Sequence, residues 1–348
     1  MFNSNSSPPQ INAYEEPVAN QYGAIAKKLF RSPVKHAYNS VNKPKQSIKI
    51  SKVDISSFAN HFDLVPDIKG FSKTVLLQLY VAKCQDLKIN ATKQQMVRFF
   101  DIIKQNHPVK NRKLNFSDCG LGDASLHVVA KLLKKNTTWA SVDLSKNDFS
   151  NEGLKVLAET LRDYNSTVVH LSLGGNHIGT EGTMHLFQCL KNHPSLVSLN
   201  LANTDCYKNK IKIGHKSAEA LKVLLESQGC LLTHLNLTDN AMTSESLISI
   251  FEGVSHCPSL ISLDLTQNDL STNSAVFSKL LGIFNEKNAL HELVLSQSML
   301  NDRNIEDLAA CLQAKRNPNL QRLNLSANKI TYKGAQLLLQ AMVQRSAW

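Results

Sequence analysis

A short motif that returns along the chain at nearly constant intervals constrains this sequence more than any other feature. The pattern apolar-x-apolar-x-x-Asn-x-apolar starts at Val142, Leu171, Leu235, Leu263 and Leu323, with Asn147, Asn176, Asn240, Asn268 and Asn328 in the sixth place. Three further copies keep the apolar frame and change the sixth residue: Leu114 with Cys119, Leu199 with Thr204 and Leu293 with Ser298. The eight starts are separated by 28, 29, 28, 36, 28, 30 and 30 residues. A period of this length marks a stacked architecture, in which each unit is one supersecondary element that cannot bury its apolar face alone. Two weaker copies, Ile48-Lys49-Ile50 and Leu77-Gln78-Leu79 with Cys84, extend the series upstream and predict about ten turns in all.

Each unit changes period halfway. The apolar-x-apolar stretch alternates, which predicts a short strand with Asn200, Asn236, Asp264 and Asn324 on its outward side. The second half is helical in spacing: Gly153, Leu157 and Leu161 follow Asn147, and Gly182, Leu186 and Leu190 follow Asn176, each set four residues apart. Stacked copies then give an α/β solenoid with a continuous core between a parallel sheet and a layer of helices. The sixth-place amide turns inward at the strand's end, where it satisfies backbone groups that burial would otherwise leave unpaired.

Leu171-Ser172-Leu173-Gly174-Gly175-Asn176-His177-Ile178 and Leu323-Asn324-Leu325-Ser326-Ala327-Asn328-Lys329-Ile330 resemble the leucine-rich-repeat family, in its ribonuclease-inhibitor type. The resemblance runs over residues 48 to 345. It implies a curved horseshoe with parallel strands on the concave face, helices on the convex face, and action through protein binding. The Lys/Asn/Ser-rich, Gly-poor composition also resembles leucine-rich-repeat effectors that intracellular bacteria inject into host cells, which implies a host partner and the host cytoplasm.

Charge divides the chain. The first 113 residues carry 18 Lys/Arg against 7 Asp/Glu, leaving 21 of each for the remaining 235, so the whole net charge of +11 lies in the first third. Residues 1–46 read as a basic arm, 47–113 as degenerate N-terminal repeats or a cap, and 114–348 as the regular repeats. A solvated tail is the plainest reading of the arm. Its charge also suits an acidic protein or weak contact with an anionic membrane, and nucleic acid is not an expected partner. No apolar run reaches the roughly 18 residues of a membrane span, and the first residues lack the basic and apolar regions of an export signal. Seven scattered cysteines without a C-x-x-C pair predict reduced core residues and a cytoplasmic setting rather than a zinc site or disulfide framework.

The chain carries no phosphate loop, no H-E-x-x-H metal pair and no G-x-S-x-G elbow. The expectation is therefore a non-enzymatic module, with no catalytic residue, metal or cofactor. Gly174 and Gly175 fall where a strand turns and read as structural. His170 and His234 hold equivalent places, but Ser198 between them breaks the column a metal would need. Candidate partner contacts are Asp143, Asp239 and Asp264, which bias the mouth of the concave face towards acid, although regularly spaced Asp also ends strands and caps helices. The others are Tyr207, Lys208, Lys210 and Lys212, in the insertion that lengthens one unit to 36 residues. Such an insertion has to project at the rim, and this one combines an aromatic anchor with charge, with Ile211 and Ile213 interleaved. The rival function is regulation of a small GTPase, by resemblance to the activating protein of Ran.

Overall fold

The computed structural model describes residues 62–106, 112–203, 213–271, 273–285, 288–314 and 319–346. The chain divides into two compact units, residues 1–49 and 50–348, and all described residues belong to the second. Among the described residues there are eight strands, β1 Lys113–Asn115, β2 Ser141–Asp143, β3 His170–Ser172, β4 Ser198–Asn200, β5 His234–Asn236, β6 Ser262–Asp264, β7 Glu292–Val294 and β8 Arg322–Asn324. They form one parallel sheet in sequence order. Leu114, Val142, Leu171, Leu199, Leu235, Leu263, Leu293 and Leu323 pair across it in one unbroken row, so the start of every repeat motif coincides with a register position.

Helices return the chain between strands: α3 Asp123–Lys135, α4 Asn151–Tyr164, α5 Thr180–Leu190, α6 His215–Leu225, α7 Ser244–His256, α8 Ser274–Gly282, α9 Asp302–Gln313 and α10 Tyr332–Ser346. Their inner faces bury Leu157, Leu186, Leu221, Ile250, Leu280 and Leu308 against the strand leucines. Strands stack about 4.8 Å apart whereas packed helices need about 8–10 Å, so a strand-and-helix stack curves with its sheet inside.

The first turns of the helices are capped in two ways. Ser150, Thr243 and Asn273 cap α4, α7 and α8 from their own N-cap positions. Helix α5 begins after Gly179, which has no side chain to offer, and Asn151 of the preceding helix accepts from the Gly179 and Gly182 amides at 2.7 and 3.2 Å. Capping by a neighbouring turn ties helix termini to stacking, because neither forms without the other.

The upstream reading is corrected here. Leu77 and Leu79 lie not in a strand but in the helix α1, Lys73–Leu87, followed by α2, Lys93–Asn106. The apolar-x-apolar signature is one fragment of a longer run, with Leu76, Leu77, Leu79, Tyr80, Val81 and Ala82 all buried, and continuous burial overrides a two-residue period. The sheet has eight strands among the described residues, not ten, and Ile48-Lys49-Ile50 lies outside them. Helix α1 also runs opposite to the repeat helices. Asp86, near its C-terminus, accepts from the backbone of Gly122, Ala124 and Ser125 at 2.8, 2.8 and 3.0 Å and so caps the start of α3. The same task falls downstream to Asp123 and Asp302, which are first residues of their helices.

Candidate functional site

The outward positions of the strands supply one continuous surface. The first residues of the strands run Lys113, Ser141, His170, Ser198, His234, Ser262, Glu292, Arg322, and the third residues Asn115, Asp143, Ser172, Asn200, Asn236, Asp264, Val294, Asn324. The second row is largely occupied by its own turn. Asp143 accepts from the Ser145 amide and hydroxyl at 3.2 and 2.6 Å, and Asp264 accepts from Thr266 in the same way at 2.9 and 2.7 Å. Asn115, Asn200, Asn236 and Asn324 make the equivalent amide contact. An Asx turn thus closes six of the eight strands, all but β3 and β7, and it accounts for the acidic and amide residues there without a ligand.

The predicted contact residues fall as follows. Asp143 faces outward from β2 with its second oxygen 3.8 Å from Lys113 Nζ, and Asp264 faces outward from β6 with its second oxygen 3.4 Å from Asn236 Nδ2. Asp239 lies beyond β5 in left-handed backbone, φ 53°, and its carbonyl accepts from Asn203 at 2.7 Å. The three carboxylates are spread along the sheet and do not converge on a point. Tyr207, Lys208, Lys210, Lys212 and Ile211 lie outside the described residues. Ile213, read as part of the projecting insertion, is instead core, at 1% exposure, because it seats the chain for α6.

The first row holds a pairing that sequence reasoning missed, although Arg322 stands out there as a hot-spot residue type. Glu292 lies between two neighbours: Ser262 Oγ donates to it at 2.9 Å, and Arg322 donates from Nε and Nη2 at 3.0 and 3.4 Å. The Arg322 guanidinium, more than the Ser262 hydroxyl, holds the Glu292 carboxyl below the usual carboxylate range. With His234 exposed beside them, β5 to β8 carry a polar strip formed by residues 28 and 30 apart in sequence. The signal was available in the column just before each apolar start, where the charged pair breaks a run of Ser and His.

Inside the turns the asparagines behave as the motif requires. Asn147 donates to the carbonyls of Phe116 and Leu144 and accepts from the amides of Cys119 and Leu121, spanning two units. Asn268 and Asn328 repeat the pattern. In the 36-residue unit the inward amide is Asn203, one residue earlier than the motif places it, and it donates to Asn240 Oδ1 at 3.2 Å. The two glycines of β3's turn are structural for different reasons. A side chain on Gly174 would strike the Ala202 carbonyl, and Gly175 adopts φ +70°.

On the helix side Cys189, His185 and Glu159 come together. Cys189 Sγ lies 3.6 Å from His185 Nε2, and Glu159 Oε1 lies 3.4 Å from that same nitrogen. A catalytic relay needs the acid on the other ring nitrogen, and burial pushes the Cys189 thiol up. This is a helix-face cluster without relay geometry. Among the described residues no His, Cys, Asp and Glu group has the arrangement to hold a metal ion, and no helix is long and apolar enough to cross a membrane. The six described cysteines are buried thiols, none in a disulfide.

Comparison with known proteins agrees with the architecture. Residues 135–158, 164–186, 230–251, 256–276 and 316–339 match the family described as Leucine Rich repeat. Ribonuclease inhibitor of Mus musculus is 26% identical over 69% of this chain and 50% of its own length, and that of Sus scrofa is 27% identical over the same shares. NACHT, LRR and PYD domains-containing protein 4E of Mus musculus is 25% identical over 66% of this chain and 25% of its own. The chain spans half or less of the length of these relatives. A solved structure, Leiomodin-1 Actin-Binding Site 2, aligns with TM-score 0.34 and 18% identity over 46% of this chain and 87% of that one.

Proposed function

We propose that this chain, which carries leucine-rich repeats and is similar to ribonuclease inhibitor, is a non-enzymatic module whose concave surface and rim bind a partner protein. The observation that carries this reading is the outward row of β5 to β8. His234, Ser262, Glu292 and Arg322 are displayed on a rigid sheet without serving the core beneath them. A fixed row of this kind suits recognition, since presenting it costs little conformational entropy.

In this reading the partner's main contacts lie on the insertion, at Tyr207, Lys208, Lys210 and Lys212, with Asp143, Asp239 and Asp264 as secondary contacts. The division of labour follows the charge: residues 1–46 as a basic arm, 47–113 as a cap, 114–348 as the binding solenoid. A host protein as partner follows from the compositional resemblance to bacterial effectors. Capture from a relevant lysate with the wild-type chain, followed by Tyr207→Ala with Lys210→Ala, tests the site. Weakening of capture by roughly 2 kcal/mol with an unchanged melting temperature supports it, and undiminished capture by the folded double variant removes it. Acceleration of GTP hydrolysis by an added small GTPase would replace the binder by the regulator.

A further inference from the structure

Each turn of the solenoid gives hydrogen bonds to the next. The amide two residues past the start of the motif, Phe116 in the first turn and Leu295 in the seventh, donates to the last carbonyl of the following strand at 2.8 to 2.9 Å across all seven boundaries. In the eighth turn the matching amide is that of Leu325, and among the described residues no ninth strand follows to receive it. Arg322 and Asn324 turn their backbone groups inward to β7, where Arg322 donates to the His291 carbonyl and the Asn324 carbonyl accepts from Leu295. Successive residues of a strand address opposite edges, so the N–H and C=O of Leu323 point the other way. With them go the Leu325 amide and the Gln321 carbonyl, the equivalent of the His291 carbonyl one turn earlier.

The side chains on this end belong to an interior turn. Leu339 holds the place of Ala309, thirty residues earlier, yet is 64% exposed where Ala309 is 4% exposed. Leu323, Leu325 and Ile330 are half-buried where Leu293, Leu295 and Leu300 are fully buried. A solenoid whose last turn meets water needs a polar outer face there. Here no charged residue lies between Lys333 and Arg345, in a chain of net charge +11. The opposite end is closed by α1 and α2, and Leu114 and Phe116 of the first turn are fully buried.

We propose that the end face made by β8 and α10 is an interface for a second copy of this chain, which docks its own β8 and α10 across a two-fold axis. The exposed edge is complementary to itself. In an antiparallel pair centred on Leu323, the two Leu323 residues exchange N–H and C=O, and each Leu325 amide meets the carbonyl of Gln321 of the partner subunit. Arg322 then stands opposite Asn324 of the partner subunit, so no like charges face each other across the strands. The uncharged stretch of α10 meets its own copy in the same way, without repulsion between two basic chains. Because α1 and α2 close the other end, stacking cannot propagate and the assembly stops at two. The concave surface stays open in both copies, so self-association and partner binding are separate properties.

Sedimentation of the full chain tests this. The end face is only as long as the 15-residue α10, about 22 Å, which is small for a stable interface. A monomer is therefore expected at about 0.5 µM and a dimer above about 50 µM. Leu339→Glu changes a side chain that is exposed in the single chain and should raise the dimer Kd at least roughly hundredfold, because it places two carboxylates in one apolar contact. Val97→Glu, exposed on α2 at the closed end, should leave the Kd unchanged. In the wild-type chain, hydrogen exchange at the Leu323 and Leu325 amides should be roughly tenfold slower at the higher concentration than at the lower. A chain that stays monomeric at 50 µM, an assembly larger than two, or a dimer that survives Leu339→Glu or is broken by Val97→Glu overturns the proposal. So does exchange at Leu323 and Leu325 that is independent of concentration, a measurement that needs no variant to fold.

Discussion

The two ends of the solenoid carry the same motif and bury it differently. At the first strand Leu114 and Phe116 are at 0% exposure, whereas at β8 the matching Leu323 and Leu325 are only partly buried. The helices show the same contrast: Met342 of α10 is 57% exposed, while Leu312, thirty residues earlier in α9, is 4% exposed. The first strand is sealed by α1 and α2, whose Tyr80, Phe99 and Phe100 rings pack together with centroids 5.6 to 6.1 Å apart. Phe71 reaches Phe116 and Trp139 from the same side. Lys83 spans the boundary, donating to the Cys119 carbonyl at 2.5 Å while its Nζ lies 4.9 Å from the Phe99 ring centroid. No later turn stacks on α10 among the described residues. In a stack, a side chain's burial is a property of the boundary it faces, and each turn owes half its core to the next.

The largest expected effect tests that statement directly. Leu263→Ala, with turns on both sides, should cost about 3 kcal/mol, and Leu323→Ala about 1 kcal/mol, because the end position has lost less water-excluded contact and collapses more easily. Urea midpoints of the two variants measure the difference, and equal losses would mean that the ends are not softer than the middle. The ladder asparagines should follow suit. Asn240→Ala removes the side-chain donor to the Leu201 carbonyl and one contact each of the Thr238 carbonyl and the Asn203 side-chain amide, and should cost on the order of 1–3 kcal/mol, with Asn328→Ala below it.

A smaller effect separates the cap from the repeats. Asp86→Ala removes the acceptor for three amides at the start of α3 and should cost about 1 kcal/mol. Hydrogen exchange should quicken at Ala124 and Ser125 while the amides of β7 keep their protection. If both regions quicken equally, the cap and the distal turns unfold as one. The smallest effect is electrostatic and lies on the helix face of the middle turns. Glu252 receives Lys222 and Lys279 at 2.8 and 2.6 Å, and these two ammonium groups hold its carboxyl at about 2, below its ordinary 4.5. A depressed folded-state value gives stability that is complete above pH 4.5 and is lost as pH falls towards 2. After solvent screening these contacts are worth about 0.5 kcal/mol, so Glu252→Gln should lower stability at neutral pH by about that amount, flatten the acid limb of a stability–pH curve, and leave stability near pH 2 nearly unchanged.

Sequence alone determined the repeat, its register and its chemistry. The eight starts became eight paired positions, the alternate residues faced outward, and the asparagines turned inward, because strand and helix periods are local and each unit repeats the same local problem. The tertiary structure decided what depends on neighbours. It placed Leu77 in a reversed helix, brought Asn203 into the ladder, returned Ile213 to the core, and paired Glu292 with Arg322. A three-residue pattern is too short to distinguish a buried helix from a strand. Contacts between residues 28 to 36 apart form only when the turns are stacked, so no local period records which of them a given boundary will use.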